Sequence, residues 1–437
     1  MRRLKQKQGI ARFFWVMMPL CAFVLALPGL LFADAKFKIK PMFSISGRYD
    51  SNFYNAEDEG REVYTFLLEP GVLLGMETPK LKADVTLILE AYFYEDKNDV
   101  PEGSKAASDE NYVGPLALLD LVYQPVERLK LGLKDSFYIT RRPQESDQFS
   151  NSIEREKYWI NRFEPLIYYD ITERLTAGVR YRRTDVDYYD SDDDDYIEHR
   201  GIIDLIYSPT RTVTLDLDYQ RWTYDEPDDL ENQKYTSDWL RLTAEKRFNY
   251  LSFDGGIGFH NRDFDDSTIP DEDLISYKVS ATLQNPPPEE GPRYLGRTYL
   301  RSKSHLYAAY ERNFNNVGNY YDLFTANRFT ASAGHVFAEK ILATIRGYYQ
   351  ENDYKYWEGL TPEGTTEYRN DKVTDIQGIL EYLITKRMGV SLTIGKETRD
   401  SNLDGFDYEN NYAQIRFNFD YDIGSRADFS EEASYYR

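Results

Sequence analysis

The chain has 437 residues and a formal net charge of −21 at pH 7, with 38 tyrosines and 15% aromatic residues. This acidic balance excludes nucleic acid as a partner, because a surface that binds phosphates has to be basic. The mean hydropathy is polar, at −0.64, and no apolar run after residue 33 is long enough for a membrane-spanning helix.

The N-terminus has the pattern of a secretory signal peptide. A basic region over residues 2–12 precedes an apolar run over 13–32, and an A-x-A cleavage pattern follows at 33–35. We therefore expect residues 1–35 to be removed and residues 36–437 to form one domain. A retained membrane anchor is the alternative, and two prolines in the run disfavour it. The only cysteine, Cys21, lies in this segment, so we expect no disulfide and no cysteine-based chemistry in the mature chain.

The stretch LKADVTLILEAYFYED (81–96) shows the pattern that dominates the rest of the chain. Its odd positions are apolar, whereas its even positions include Lys82, Asp84 and Glu90. Successive side chains of a strand point to opposite faces, so this alternation predicts a strand with one apolar and one polar face. The same alternation recurs over 129–140, 175–183, 213–221 and 412–421.

The connections between these predicted strands alternate between two kinds. One kind is short, at 76–80, 125–128, 171–174, 208–211, 246–249, 337–340 and 385–388. The other is longer and acidic, at 95–111, 141–157, 223–234, 262–273, 351–371 and 397–411. The alternation indicates a hairpin repeat. The Pro-rich stretch NPPPEEGPRYLG (285–296) is an atypical member of the short set.

Strand length and loop asymmetry together predict the fold class. Strands of about ten or more residues with one apolar face are long enough to cross a bilayer when tilted, whereas soluble strands average about five or six. The prediction is an all-β fold: a transmembrane up-and-down antiparallel β-barrel of about 18 strands, with short periplasmic turns and longer acidic outer loops, in the outer membrane of a Gram-negative cell. Closure leaves no unpaired edge in lipid. The tail 427–437 is either a partial strand or a periplasmic end.

One residue conflicts with this pattern. Asp135 falls on the apolar face near the middle of its predicted strand. A β-bulge or a register error are the interpretations we favour, and a subunit interface is the third.

Two N-terminal stretches carry a family resemblance. SGRYDSNFY (46–54) ends a first strand with Tyr49, Asp50 and Asn52, and the strand after the next loop contains Pro70 and Gly71. Over about residues 40–95 the chain resembles a family of outer-membrane β-barrel porins associated with exopolysaccharide export loci. The resemblance implies an outer-membrane role in passage of polysaccharide and no catalytic residues.

The polar face of the strands is expected to line an aqueous lumen. It can either select solutes by charge or hold the wall together through cross-strand ion pairs. The candidate lumen-lining residues are Lys82, Asp84, Glu90, Arg162, Arg180, Arg182, Asp216, Asp218, Arg241, Glu245, Arg301, Lys303, Arg346, Arg416 and Asp420.

Three further groups of residues are candidate sites. Lumen aromatics form either a track for sugar rings or an ordinary aromatic girdle; they are Tyr92, Tyr138, Trp222, Trp239 and Tyr307. The acidic run 188–196 is better explained as a solvated loop than as a calcium site, since it lacks EF-hand spacing; its candidate ligands are Asp190, Asp192, Asp193, Asp194 and Asp195. His199 and His260 are the histidines with acidic neighbours, but no nucleophile motif accompanies them.

The predicted function is therefore a porin-like channel, and neither enzymatic activity nor a cofactor is expected. The alternatives are an occluded barrel that acts as a structural or interaction protein and, less favoured, an outer-membrane hydrolase. Expected partners are outer-membrane lipid and lipopolysaccharide, a polysaccharide or small solute, and a periplasmic protein. No long loop is predicted to be long enough to fold inward as a constriction.

Overall fold

Eighteen β-strands make up most of the part of the chain that the structure describes. The computed structural model describes residues 35–419, except for 58–59, 101–103, 143–148, 150–155, 190–194, 226–233, 267–268, 286–302, 316–322, 339, 363 and 386. The strands are β1 Lys36–Asp50, β2 Val63–Glu77, β3 Leu81–Asp96, β4 Tyr112–Val126, β5 Leu129–Thr140, β6 Tyr158–Asp170, β7 Leu175–Tyr188, β8 Tyr196–Thr210, β9 Val213–Asp225, β10 Tyr235–Arg247, β11 Leu251–Phe264, β12 Glu272–Asn285, β13 Ser304–Phe314, β14 Phe324–Phe337, β15 Ile341–Leu360, β16 Thr366–Leu383, β17 Met388–Ser401 and β18 Tyr408–Phe419.

Each strand pairs antiparallel with its neighbours in sequence, and β1 pairs with β18, so the sheet closes on itself. At this seam Phe43–Asp50 of β1 lie opposite Phe419–Tyr412 of β18. The predicted 18-stranded up-and-down barrel is therefore confirmed. One short 3-10 turn, Ala107–Glu110, accompanies the strands. In the part of the chain that the structure describes, no helix is long and apolar enough to cross a membrane.

The outer face of the barrel is an apolar surface. Isoleucines that point outward on separate strands are more than half exposed: Ile203 56%, Ile257 59%, Ile345 59%, Ile394 59% and Ile415 59%. The side chains between them point inward and are mostly polar. This is the period-2 alternation predicted for residues 81–96, where Leu89 and Phe93 are 46% and 47% exposed while the intervening Glu90 is 5% exposed.

The connections alternate between two ends of the barrel, which we call the short-turn end and the long-loop end. β4 and β5 are joined through residues 127–128, and β8 and β9 through 211–212. Two predicted long loops are mostly strand: β15 continues to Leu360 and β16 begins at Thr366, within 351–371, and β17 continues to Ser401 and β18 begins at Tyr408, within 397–411. The many charged and tyrosine residues of these stretches obscured their alternation. The Pro-rich stretch, apart from residue 285, the tail and residues 1–34 lie outside the described residues.

Asp135 lies on the outer face, as the alternation requires, and no bulge accompanies it. The registers of β5 with β4 and with β6 run without a break through Asp135, opposite Leu119 and Phe163. The preferred explanations, a bulge or a register error, were therefore wrong. Asn161 on β6 donates its amide to Asp135 Oδ1 at 2.8 Å, and this hydrogen bond partly satisfies a carboxylate on an otherwise apolar face.

Candidate functional site

The inward faces of the strands form the candidate site, because they carry most of the buried polar groups. The cross-strand registers place twelve of the predicted lumen residues on this face: Lys82, Asp84, Glu90, Arg162, Arg180, Arg182, Asp216, Asp218, Arg241, Glu245, Arg346 and Arg416. Lys303 directly precedes β13, whereas Arg301 and Asp420 lie outside the described residues. Their role in solute selection stays a prediction.

A row of charged side chains crosses the inner wall from β3 to β10, and we call it the charged belt. Direct cross-strand pairs join Asp84 to Asp120, Asp120 to Lys134 and Lys134 to Glu164. Farther round the wall, Asp204 lies opposite Asp218, which lies opposite Arg241. The members of the charged belt are Asp84, Asp120, Lys134, Glu164, Arg180, Asp204, Asp218 and Arg241.

Ion pairs hold the charged belt together. Arg180 forms two hydrogen bonds of 2.9 Å with Asp204 and lies 3.7 Å from Glu164. Arg241 forms a 2.6 Å ion pair with Asp218. Two carboxylates directly opposite each other repel, so Asp204 and Asp218 are tolerated because each has an arginine of its own. The charged belt therefore supports two roles for these charges equally well: stabilisation of the wall through ion pairs and selection of solutes by charge.

A second charged group lies nearer the long-loop end. Glu198 binds Arg200 at 2.7 Å and Arg182 at 3.3 Å, and Arg200 also donates to Gln220 Oε1 at 3.2 Å. The guanidinium of Arg200 stacks 3.8 Å above the ring of Trp222, a cation–π contact that satisfies a face of the cation without water. Arg200 is 1% exposed.

Charge pairing also closes the seam of the barrel. Arg416 on β18 donates to Ser44 Oγ on β1 at 2.7 Å and forms an ion pair with Glu69 on β2. Farther along the seam, Asn410 donates to Asp50 Oδ1 at 2.9 Å, and Arg48 on the same strand as Asp50 pairs with that carboxylate at 2.7 Å. The bonds of Arg416 and Asn410 join residues from opposite ends of the sequence.

A cluster of aromatic and aliphatic side chains fills the lumen side at the long-loop end of β6–β12, and we call it the aromatic cluster. Its rings stack closely, for example Tyr224 on Tyr235 at 5.0 Å and 1° between planes. Its members are Tyr158, Ile160, Val186, Tyr196, Trp222, Tyr224, Tyr235, Trp239, Phe264, Ile269 and Leu323. Two predicted sugar-track residues, Trp222 and Trp239, are therefore packed and only 1% and 4% exposed.

The connection between β5 and β6 enters the lumen at Phe149. Its ring is 1% exposed and packs with Phe324 and Tyr354 on the far wall. Gln350 on β15 donates its amide to the Phe149 backbone oxygen at 2.9 Å. The expectation that no long loop reaches inward is therefore wrong. Loop length did not predict this contact. Burial of the apolar Phe149 ring stabilises the inward position, even though the rest of the loop is charged.

The two halves of the lumen differ in how tightly they are packed. Gln220 and Arg262, toward the long-loop end, are 0% exposed. Toward the short-turn end, the side chains of Lys82 and Asp84 are 54% and 33% exposed. Exposure at the short-turn half varies around the wall, because Asp204 and Asp218 of the charged belt are only 3% and 1% exposed.

His260 lies at the edge of the aromatic cluster. Its Nε2 is 3.1 Å from Ser237 Oγ, and its Nδ1 is 3.0 Å from Asn313 Oδ1. Ser237, His260 and Asn313 are thus arranged like the nucleophile, the base and the orienting amide of a hydrolytic triad. However, these three side chains are at most 4% exposed, and Ser237 Oγ also lies within hydrogen-bonding distance of the Asn261 backbone oxygen, at 3.1 Å. We interpret the group as a buried polar relay.

His199 has a different location. It points outward at the long-loop end, where its Nδ1 is 2.6 Å from Tyr181 Oη. It therefore shares no site with His260. Of the five candidate aspartates in the acidic run, Asp195 alone lies within the described residues, and its Oδ1 accepts a hydrogen bond from the Tyr188 amide at 2.5 Å. Among the described residues, no group of three potential metal ligands occurs.

The loops at the long-loop end carry their own ion pairs. Glu62, just before β2, binds Lys97 at 2.8 Å and Asn98 at 2.8 Å, and Tyr49 donates to the same carboxylate. Hydrogen bonding to Lys97, Tyr49 and Asn98 lowers the pKa of Glu62 to about 2, and the bond to Glu62 raises the pKa of Lys97. The acidic end of the barrel is thus partly neutralised.

Sequence reasoning missed several members of the site. Glu164, Glu198, Arg200 and Asp204 are central to the ion pairs, although none was a predicted lumen residue. Their inward parity was readable from the alternation in β6 and β8, where apolar neighbours point outward. Their partners were not, because cross-strand pairs depend on register.

The fold and its lumen define a class: a closed 18-stranded β-barrel with an apolar exterior and a polar interior, the architecture of porins. Residues 324–420 match the family described as "Putative beta-barrel porin 2". The match covers β14–β18, and it confirms the porin part of the resemblance found near the N-terminus. No curated protein sequence matches the chain.

Three solved structures are similar to this chain over most of its length. OccK7 (OpdD) of Pseudomonas aeruginosa is 13% identical with a TM-score of 0.48, and 89% of this chain covers 99% of that chain. OpdQ of Pseudomonas aeruginosa is 11% identical with a TM-score of 0.47, and 88% of this chain covers 99% of that chain. A BenF-like porin from Pseudomonas fluorescens Pf-5 is 10% identical with a TM-score of 0.47, and 90% of this chain covers 100% of that chain.

Proposed function

We propose that the chain is a porin-like channel of the bacterial outer membrane that passes small solutes through its lumen. The observation that carries the proposal is a closed barrel whose exterior is apolar and whose interior holds ordered charges. An apolar exterior suits hydrocarbon, and closure leaves no strand edge unpaired there. The short turns then face the periplasm and the long loops face outward, where outer-membrane lipid and lipopolysaccharide are the expected surroundings.

Single-channel conductance of the folded, signal-cleaved protein in planar bilayers tests this proposal. Stable current steps are expected, and a preparation whose folding is verified but which stays silent would refute an open channel. The matched control is Phe149→Ala in the same bilayers, because it changes the lumen without changing the outer face. Larger steps in the variant than in the wild type would show that the current flows through the lumen.

The finer part of the proposal is that saccharides are among the solutes. It rests on the resemblance to porins associated with exopolysaccharide export loci and on inward-facing aromatic rings such as Tyr138 and Tyr307, since sugar C–H faces stack on aromatic rings. Oligosaccharides should then interrupt the current more strongly than uncharged polyethylene glycol of the same size. Equal interruption by both would remove saccharides from the proposal.

An occluded barrel that acts as a structural or interaction protein is the second candidate. The packing of the aromatic cluster and of Phe149 at the long-loop half favours it. A silent, folded barrel that still binds a periplasmic protein would support this candidate. A hydrolase is disfavoured because the relay of Ser237, His260 and Asn313 is buried, and turnover lost in Ser237→Ala but present in the wild type would reverse that judgement.

A further inference from the structure

The connections at the short-turn end of the barrel share a repeated charge pattern. Six of these eight connections finish on a lysine or arginine directly before the next strand begins. These six residues, which we call the basic rim, are all exposed: Lys80, Arg128, Arg174, Lys303, Lys340 and Arg387. Of the other two hairpins, one carries Arg211 in its turn, and the other has Lys246 and Arg247 at the end of β10. A cation therefore lies at each hairpin of this end, although the whole chain has a net charge of −21.

Three cations of the basic rim have no carboxylate partner. Among the described residues, Arg128, Arg174 and Lys340 form no ion pair, even though a glutamate directly precedes each of them in the sequence. The long-loop end differs, because three of its outward cations each lie within 3.4 Å of a carboxylate oxygen: Arg183, Arg221 and Lys396. The charge of the basic rim is therefore open to a partner outside the barrel.

Exposed apolar side chains accompany these cations. Ile171 and Phe337, each three residues before a cation of the basic rim, are 44% and 53% exposed. Phe248, which is 54% exposed, has its ring centre 5.4 Å from the Lys246 ammonium. An apolar residue beside a cation suits the boundary of a bilayer, where the first enters the acyl region and the second stays among the headgroups.

We propose that the basic rim binds the phosphates of anionic phospholipids in the periplasmic leaflet of the outer membrane. Lysine and arginine near an anionic lipid surface are attracted to it. Cations distributed over all the hairpins fit an annulus of lipid better than a single protein partner, which would contact one side of the barrel. This inference rests on the outer-membrane location in the proposed function and not on conduction.

The charge difference between the two ends of the barrel supports this assignment. The connections 223–234 and 262–273 at the long-loop end are acidic, and anionic headgroups would repel them. The short-turn end is therefore the end that matches an anionic leaflet.

Native mass spectrometry of the folded, signal-cleaved protein tests the preference. The protein is released from micelles that contain equal amounts of phosphatidylglycerol and phosphatidylcholine with the same acyl chains, and the retained lipids are counted. The wild type should retain phosphatidylglycerol over phosphatidylcholine about fivefold, the Boltzmann factor for one cation beside one anionic headgroup. The rim variant, which combines Arg128→Gln, Arg174→Gln and Lys340→Gln, should retain about three fewer phosphatidylglycerol molecules, one for each cation removed.

The matched control removes the same charges from the opposite end of the barrel. It combines Arg183→Gln, Arg221→Gln and Lys396→Gln, so its net charge equals that of the rim variant, and it should retain as many phosphatidylglycerol molecules as the wild type. Ammonium acetate at about 1 M instead of about 0.1 M should reduce retention by the wild type, because the Debye length shortens from about 10 Å to about 3 Å. The slower or faster gel migration of unheated protein relative to heated protein verifies that both variants are folded.

The outcomes separate this inference from the channel function. Equal retention of the two lipids by the wild type overturns it, and so does an equal loss of phosphatidylglycerol in both variants, since net charge would then control binding. A rim variant that keeps the wild-type lipid count but no longer binds soluble polyglutamate would reassign the basic rim to an acidic periplasmic protein. A silent barrel that prefers phosphatidylglycerol refutes conduction alone, whereas a conducting barrel without this preference refutes the basic rim alone.

Discussion

Removal of Arg180 should destabilise the barrel strongly, because it leaves two carboxylates in the wall without their cation. The Arg180 side chain is 11% exposed, and its partners Glu164 and Asp204 are 6% and 3% exposed. In Arg180→Gln, the Tyr168 hydroxyl, 3.0 Å away, is the remaining hydrogen-bond donor to Asp204 among the described residues. Breaking a buried ion pair by removing one member costs about 3–5 kcal/mol, and we expect a loss of that size.

The free energy of unfolding in urea, followed by tryptophan fluorescence of the protein in detergent micelles, measures this loss. Arg183→Gln is the matched control, since it lies on the same strand but points outward. Arg183 pairs with Asp185 at 2.8 Å and is 46% exposed. Exposed pairs contribute about 0–1 kcal/mol, so this control should unfold close to the wild type.

A double-mutant cycle makes the reasoning refutable. Asp204→Asn removes one of the stranded charges, so Arg180→Gln combined with Asp204→Asn should lose less stability than the sum of the two single variants. If Arg180→Gln loses no more than Arg183→Gln, the charged belt is solvated and does not hold the wall. Strict additivity in the cycle would contradict the pairing of these two side chains.

Three further predictions concern other parts of the barrel. Phe149→Ala should enlarge the single-channel conductance by releasing the connection from the far wall, and an unchanged conductance would show that Phe149 does not limit the pore. Glu62→Gln should lower the free energy of unfolding at pH 7 but not near pH 2. The bond to Lys97 lowers the pKa of Glu62 in the folded state to about 2, from its ordinary 4.5. The stabilisation by Glu62 is therefore present above pH 4.5 and is lost as the pH falls toward 2. A pH-independent difference in urea midpoints would contradict that assignment. Gly395→Ala should cost about 1–3 kcal/mol of unfolding free energy, because its Cβ would lie 2.3 Å from Tyr412 Cζ; a wild-type midpoint would show that the ring moves freely.

Much of the architecture could be predicted because it depends on local information. The alternating stretches 81–96, 129–140, 175–183 and 213–221 all lie within observed strands, and the outward position of Asp135 was also predicted correctly. Alternation has a period of two residues, so a segment of about ten residues is enough to assign both faces. The porin class followed from strand length and loop asymmetry, which are equally local.

The lumen's contents were less predictable, because they depend on which residues meet across the barrel. Arg416 binds Glu69 although 347 positions separate them in the chain, and Phe149 binds Gln350 across 201 positions. A one-residue change of register moves every side chain to the opposite face. Charge signs along one strand therefore do not reveal which charges will be paired and which will stand alone.

The sequence by itself determined the secretory pattern, the number and faces of the strands and the alternation of short and long connections. The tertiary structure alone decided that Arg180 pairs with Asp204 and Glu164, and that the long-loop half is packed by the aromatic cluster. The physical reason is that a strand's face is fixed by its own backbone geometry, whereas pairing and packing are fixed by closure of all eighteen strands into one ring.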